Sequence, residues 1–420
     1  MISSSAASAS TSDDSDLDLI GYLGIGWHLQ RWLLVTLVCG LLVACSQRTG
    51  GGVEAFLATH WADPLSPQGP PPSGRSEIET SLSPAACGQC HVDQYAQWKT
   101  ALHSHTMSSG IRWQFDVMNQ DESNKCMRCH APLAEQKALV ALSQGWPQAP
   151  TTPAPAYIPS DFADQGLVCA ACHIRGHQRL GPGRRPAQAD QPHGGFRPEQ
   201  AFRDSQFCAH CHQFPADGPR LAGKLREDTY QQWRASSVAS KQSCQDCHMP
   251  NAQHLWRGIH DPEMLRKGLA VELQLVALDG GRYRAEIVAT NIGAAHHLPT
   301  YLVPKIDLVL NLLAPPNNPV ELARDIIGWK ADVAMTTEEF DTRLAAGESR
   351  RFVHEFKPPV APGWTVELQV AVAPREHYER MFKHYLATLK LADRTTSQLK
   401  KAISEAEATR FMAMRLFAAP

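Results

Sequence analysis

Five times the chain spells Cys-x-x-Cys-His: Cys87/Cys90/His91, Cys126/Cys129/His130, Cys169/Cys172/His173, Cys208/Cys211/His212 and Cys244/Cys247/His248. Random placement of 12 Cys and 19 His in 420 positions predicts about 0.02 such strings. The spacing is the signature of covalent haem attachment. Two thiols add across the two vinyl groups of the macrocycle as thioethers, and the adjoining His reaches the iron as proximal ligand. Structural zinc explains the strings poorly, because paired Cys-x-x-Cys units make tetrahedral thiolate sites and need no His after every second Cys. A disulfide framework needs no adjacent His at all. Ten cysteines and five histidines are therefore assigned to five haem c groups.

The elements that must carry these strings lie in one part of the chain. The strings fall within residues 84–262, at intervals of 39, 43, 39 and 36 residues. That regularity predicts a stacked haem chain with one short helix per string, in a mostly α and irregular region. Helical patterns run from Val92 to Leu102 and from Thr229 to Ala239. Residues 145–160 and 181–197 are Pro- and Gly-rich loops without the periodicity of an element. From about residue 268 the pattern changes to short β-rich runs: Ala270–Leu278, Tyr283–Thr290, Ile306–Leu313, Arg351–Phe356 and Trp364–Val372, separated by turn signals such as Asp279-Gly280-Gly281. They predict a small antiparallel β-sandwich over 266–375, followed by a C-terminal helical segment over 376–420. The haem region is taken as 84–265.

Charge is nearly balanced at -2, which gives no basic excess for nucleic acid. Residues Trp32 to Ala44 form an apolar run of 13, short for a membrane span and suited to a signal-peptide core. Leu42-Val43-Ala44-Cys45 resembles the lipobox of bacterial lipoproteins. The resemblance implies cleavage after residue 44, lipidation of Cys45 and loss of Cys39 with the signal. Twelve cysteines are then all assigned. Ser46, where Asp would resemble an inner-membrane retention signal, favours the outer membrane. Residues 1–27 depart from the pattern, carrying four Asp and no Lys or Arg, which places the true translation start downstream of Met1. Residues 45–83 read as a Pro/Gly-rich tether with one apolar stretch, Val53 to Trp61.

The haem region resembles the cytochrome c-554 family. Cys87-Gly-Gln-Cys-His91 is followed by Tyr95, Trp98 and His103, like the family's C-x-x-C-H…Y-x-x-W…S-x-H segment, with Ala101 at the usual Ser. Tyr230-x-x-Trp233-x-x-Ser236 leads into Ser243-Cys-Gln-Asp-Cys-His-Met-Pro250, a second recurring segment. The count departs from the type member, with five strings against four haems. Asn291-Ile-Gly-Ala-Ala-His296-His-Leu-Pro299-Thr300 is similar to a segment of β-regions that follow such haem regions.

Each iron needs a second axial ligand or is an open site. Nine of the 14 histidines outside the strings are available. The family's placement selects His103 and His296. His254 and His260 follow the fifth string in a short loop. His193 lies in a Gly-flanked loop where backbone approaches a porphyrin closely. His105 and His177 are reserves, and His210, between its own string's cysteines, reads as exposed or as a residue that supports a ligand rather than serving as one. Met107, Met118, Met127 and Met249 are alternative ligands that would raise the potential. The surplus of histidines favours mostly bis-His haems and an electron carrier rather than a catalyst, exchanging electrons with a redox protein donor and acceptor. The competing reading is a multihaem oxidoreductase with one open haem acting on a small nitrogen or sulfur compound. A third makes the β-region a partner-binding module.

Overall fold

The computed structural model describes residues 52–183, 192–314, 316, 318–360 and 362–420. The signal, the lipobox and Cys45 lie outside the described residues. Residues 57–420 make one compact unit, and the Val53 to Trp61 stretch is helical over 52–60.

The haem region is built from short helices. These are α1 (Pro84–Cys87), α2 (Val92–Thr100), α3 (Ser109–Phe115), α4 (Gln120–His130), α5 (Cys169–His173), α6 (Gln206–His212), α7 (Thr229–Arg234) and α8 (Cys244–His248). The second to fifth strings lie wholly on α4, α5, α6 and α8, and there the proximal His is the last helical residue. Cysteines three apart on a helix share one face, so both thiols of each of these strings point the same way.

The first string corrects the expectation of one helix per string. Helix α1 stops at Cys87, Cys90 lies in the turn that follows, and His91 becomes the N-cap of α2. Gly88 is required in that turn: a Cβ would lie 2.5 Å from the Tyr95 ring. Tyr95 stacks on Trp98 at 5.9 Å, and the Trp98 indole donates to Leu167 O at 2.8 Å, tying the first string to the third.

The C-terminal half holds two antiparallel sheets. The strands are β1 (Leu269–Leu278), β2 (Arg282–Asn291), β3 (Lys305–Leu313), β4 (Val320–Ala331), β5 (Glu338–Asp341), β6 (Ser349–Phe356) and β7 (Thr365–Ala373). Helices α9 (Glu376–Thr388) and α10 (Asp393–Glu407) follow, and then β8 (Phe411–Ala418). Sheet order is β5-β4-β3-β7-β8 in the larger sheet and β6-β2-β1 in the smaller. Ile287 from the small sheet meets Leu308, Leu310, Ile327, Val366, Leu368 and Val370 from the large one in a single apolar core. Central strand β3 is buried on both faces and reads as a nearly continuous apolar run.

The last element corrects the expectation of helix throughout 376–420. Phe411–Ala418 pairs antiparallel with β7, Val366 opposite Ala418 and Val372 opposite Phe411. Its Met, Ala and Leu content favours helix locally, and an open sheet edge overrides that preference. Strands β4 and β5 were likewise not predicted, because β4 opens on a charged, solvent-facing half.

The haem region and the sheets are joined through Trp329, which is 0 % exposed. Arg343 lies 4.2 Å and Lys224 4.9 Å from its ring centre, and its indole donates to Glu338 at 2.7 Å. Lys224 sits on the hairpin after the fourth string and pairs with Glu338 and Asp341 at 2.6 and 2.7 Å. Trp329→Ala is expected to cost about 3–5 kcal/mol, the range for emptying a buried aromatic site. Denaturant unfolding followed by Soret circular dichroism reads it.

Candidate haem sites

The ten string cysteines do not share one environment. Nine are half-buried, as thiols facing a packed macrocycle should be, and Cys90 is exposed. The cause is the backbone break: Cys90 lies in the turn after α1 rather than on a helix face, so nothing directs its thiol inward together with that of Cys87.

Metal–imidazole bonds run about 2 Å, and the ring centre lies roughly 1 Å behind its nitrogen, so two imidazoles on opposite faces of one iron have centres about 6 Å apart. Three pairs in the structure meet that spacing. His103 and His212 are 6.3 Å apart, His173 and His254 6.1 Å, and His248 and His296 6.3 Å. Each pair joins a string histidine to one from outside the strings.

The hydrogen bonds aim these rings. Nδ1 of His173 is 2.8 Å from Leu180 O, that of His248 2.7 Å from Arg257 O, that of His254 2.9 Å from Ala252 O and that of His296 2.8 Å from His297 O. A carbonyl only accepts, so each Nδ1 carries the proton and each Nε2 keeps its lone pair for a metal. Burial pulls His103 down to about 3 and His173 and His296 to about 4. All three are neutral at pH 7, as ligation requires. The residues present therefore fit haem iron.

His296 is presented by a turn that explains its sequence. The Asn291 side chain donates to His296 O at 3.0 Å and accepts from Ala294 N at 2.9 Å. A Cβ on Gly293 would lie 2.2 Å from Lys267 O, so only glycine fits that position.

His193 occupies the left-handed region at φ +48° between Pro192 and two further positive-φ glycines. Its Nδ1 bonds Gly195 O at 2.9 Å, and it lies within electrostatic reach of His91. His260 opposes no string histidine; its charged neighbours are Asp261, Arg375, His248 and Arg257. His105 is exposed. His177 is buried, with Nε2 on Gly69 O at 2.9 Å and its ring against Tyr157. His210 stacks on Trp61 at 4.9 Å instead of facing solvent freely.

His130 stands apart. Its Nδ1 bonds Thr106 O at 2.8 Å, yet among the described residues no second imidazole ring contacts it. The residues near its string are of another kind. Tyr378, on α9, is within electrostatic reach of Cys126, Glu227 and Arg375. Tyr301 is within reach of Tyr378, Glu227 and Arg375. Burial pushes both hydroxyls up, while Tyr378 keeps 38 % of its surface accessible. No sequence signal marked these residues, since they come from three distant segments.

Strings also meet one another. The thiols of Cys87 and Cys169, of Cys129 and Cys211, and of Cys208 and Cys244 are close neighbours that perturb one another's protonation. Cys172 is within electrostatic reach of Cys208 and Cys211.

Residues 86–149 match the family model for cytochrome c554 and c-prime. With the attachment strings, that match makes the chain a multihaem c-type cytochrome with covalently bound haem c. Its fold is similar to the crystal structure of a penta-heme cytochrome c552 from Thermochromatium tepidum, with a TM-score of 0.55 and 19 % identity over 81 % of this chain and 99 % of that one. No curated protein matches the chain.

Proposed function

We propose that the protein is an exported electron carrier with one haem c on each of its five strings, mostly bis-His ligated. The observation that carries this reading is the set of close thiol pairs between strings. Thioethers sit on the macrocycle rim, so neighbouring sulfurs from different strings bring macrocycle edges together. Close thiol pairs link the first string to the third and the fourth to both the second and the fifth, and Cys172 of the third string lies within electrostatic reach of the fourth. At the first string Cys87 would attach its haem on the side toward Cys169 of the third string. The solved penta-heme cytochrome of similar fold supports the count. His91/His193, His173/His254, His212/His103 and His248/His296 are the proposed axial pairs. Intact mass and reduced-minus-oxidised spectra of protein matured with a c-type system are expected to show five haems. A mass gain of fewer than five sinks the count.

The Leu42-Val43-Ala44-Cys45 string supports lipidation at Cys45 and attachment to a membrane, with the outer membrane favoured. Among the described residues no helix is long and apolar enough to cross a membrane. Cys45→Ala is expected to move the haem-staining protein from the membrane pellet to the soluble exported fraction; unchanged pelleting counts against the anchor. The partners proposed are a redox protein donor and acceptor.

A second reading rests on His130. Among the described residues no imidazole ring contacts it, and Tyr378 and Glu227 lie near its string; the second haem would then be five-coordinate and open to a small nitrogen or sulfur compound.

A further inference from the structure

We infer that the haem of the fourth string, between His103 and His212, has the highest reduction potential of the low-spin haems and is the reservoir where electrons collect. The inference rests on the ligand pairs proposed above. It starts from an orphaned atom: Nδ1 of His103 is buried and has no hydrogen-bond partner. In the pairs His173/His254 and His248/His296 all four Nδ1 atoms bond a backbone carbonyl. That bond makes an imidazole a stronger donor, and a stronger donor favours the ferric state over the ferrous. The fourth haem lacks this support from His103. What faces the His103 ring is the Trp256 indole, edge-on at 4.6 Å, an apolar surface with no acceptor.

Two further features act in the same direction. The His103 Nδ1 is buried beside that indole, and low dielectric disfavours the extra positive charge of ferric haem. The fourth string also meets three others through Cys208, Cys211 and their neighbours. In the oxidised protein its iron therefore has more ferric neighbours than any other, and like charges at short range favour taking the first electron there. From this junction an electron reaches the second, third or fifth haem in one hop.

The structure also supplies a way to recognise this haem. The angle between the two axial ring planes sets the anisotropy of a low-spin ferric signal. The ring planes are 54° apart in His103/His212, 38° in His173/His254 and 14° in His248/His296. The fourth haem gives the signal with the largest maximum g value of these three.

An electron paramagnetic resonance titration of the intact five-haem protein tests the inference. That signal is expected to bleach first. At its midpoint the other low-spin signals should be at least tenfold in favour of the oxidised form, a separation of about 59 mV for one electron. Bleaching together with the others, or after them, overturns it. His103→Ala separates this failure from failure of the ligand pairing: loss of a different signal, or of none, shows the pairing wrong. Loss of the largest-g signal, combined with late bleaching in the unaltered protein, shows the pairing right and the reservoir wrong.

Discussion

In the ferric protein one haem is expected to be high-spin, and cyanide or nitrite is expected to convert that fraction, and only that fraction, to another spectrum. Among the described residues no imidazole ring contacts His130, and the surroundings of its string carry the Tyr378 hydroxyl and the Glu227 carboxylate, with Tyr301 and Arg375 beside Tyr378. A water or small anion would take the sixth position. Removing Tyr378 with Phe should leave the high-spin signal in place and weaken anion binding, because it removes a hydrogen-bond donor, worth about 0.5–1.5 kcal/mol. A fully low-spin ferric spectrum, indifferent to cyanide, would remove the second reading and leave the carrier alone. Optical titration at fixed pH with nitrite reads both outcomes.

His296→Met carries the other large effect. His248 and His296 face each other at 6.3 Å with rings 14° from parallel, and the Asn291 turn fixes the position of the second ring. A thioether in place of the imidazole favours ferrous iron. The potential of one haem in five should rise by on the order of a hundred millivolts, within the ~0.8 V range that axial ligands command. Spectroelectrochemistry resolves the shifted component. His260→Met should leave all five potentials near their original values, since His260 opposes no string histidine. A shift in the second variant and none in the first would exchange the roles of these two residues.

The attachment strings were legible because their chemistry is local: two thiols and an imidazole within five residues need no knowledge of the fold. What the strings withhold is their surroundings. Nothing in Cys87-Gly-Gln-Cys-His91 tells that its second thiol lies in an exposed turn, because the break after Cys87 depends on Gly88 packing against the Tyr95 ring. Five of the eight large-sheet and small-sheet strands were legible as alternating or β-branched runs between turns. Strand β8 was not, because its residues favour helix and only the edge of β7 makes it a strand. The facing histidines were partly legible. His103, His254 and His296 each lie about 6 Å from a string histidine, and which one they face is set by tertiary packing: His103 follows the first string yet meets the ring of the fourth. His254 follows the fifth and meets the third. Spacing along the chain carries no information about such exchanges. Tyr301, Arg375 and Tyr378 were invisible because no short-range pattern links a β-region loop and a C-terminal helix to a cysteine some 250 residues earlier.

The turn that holds His296 bears on biogenesis. Attachment of haem to the fifth string needs only residues 244–248, whereas the proposed second ligand of that haem belongs to the region that begins folding at residue 269. A ribosome must deliver more than forty further residues before this iron can be capped, and in the folded chain the Asn291 turn is tied to the residue just before β6, Asn291 N donating to Glu348 O at 3.0 Å. The fifth haem is thus a folding sensor: chains that stop or misfold after residue 265 would leave the export machinery with one exchangeable, peroxide-reactive iron. Folding of the sheets converts that reactive intermediate into an inert cytochrome.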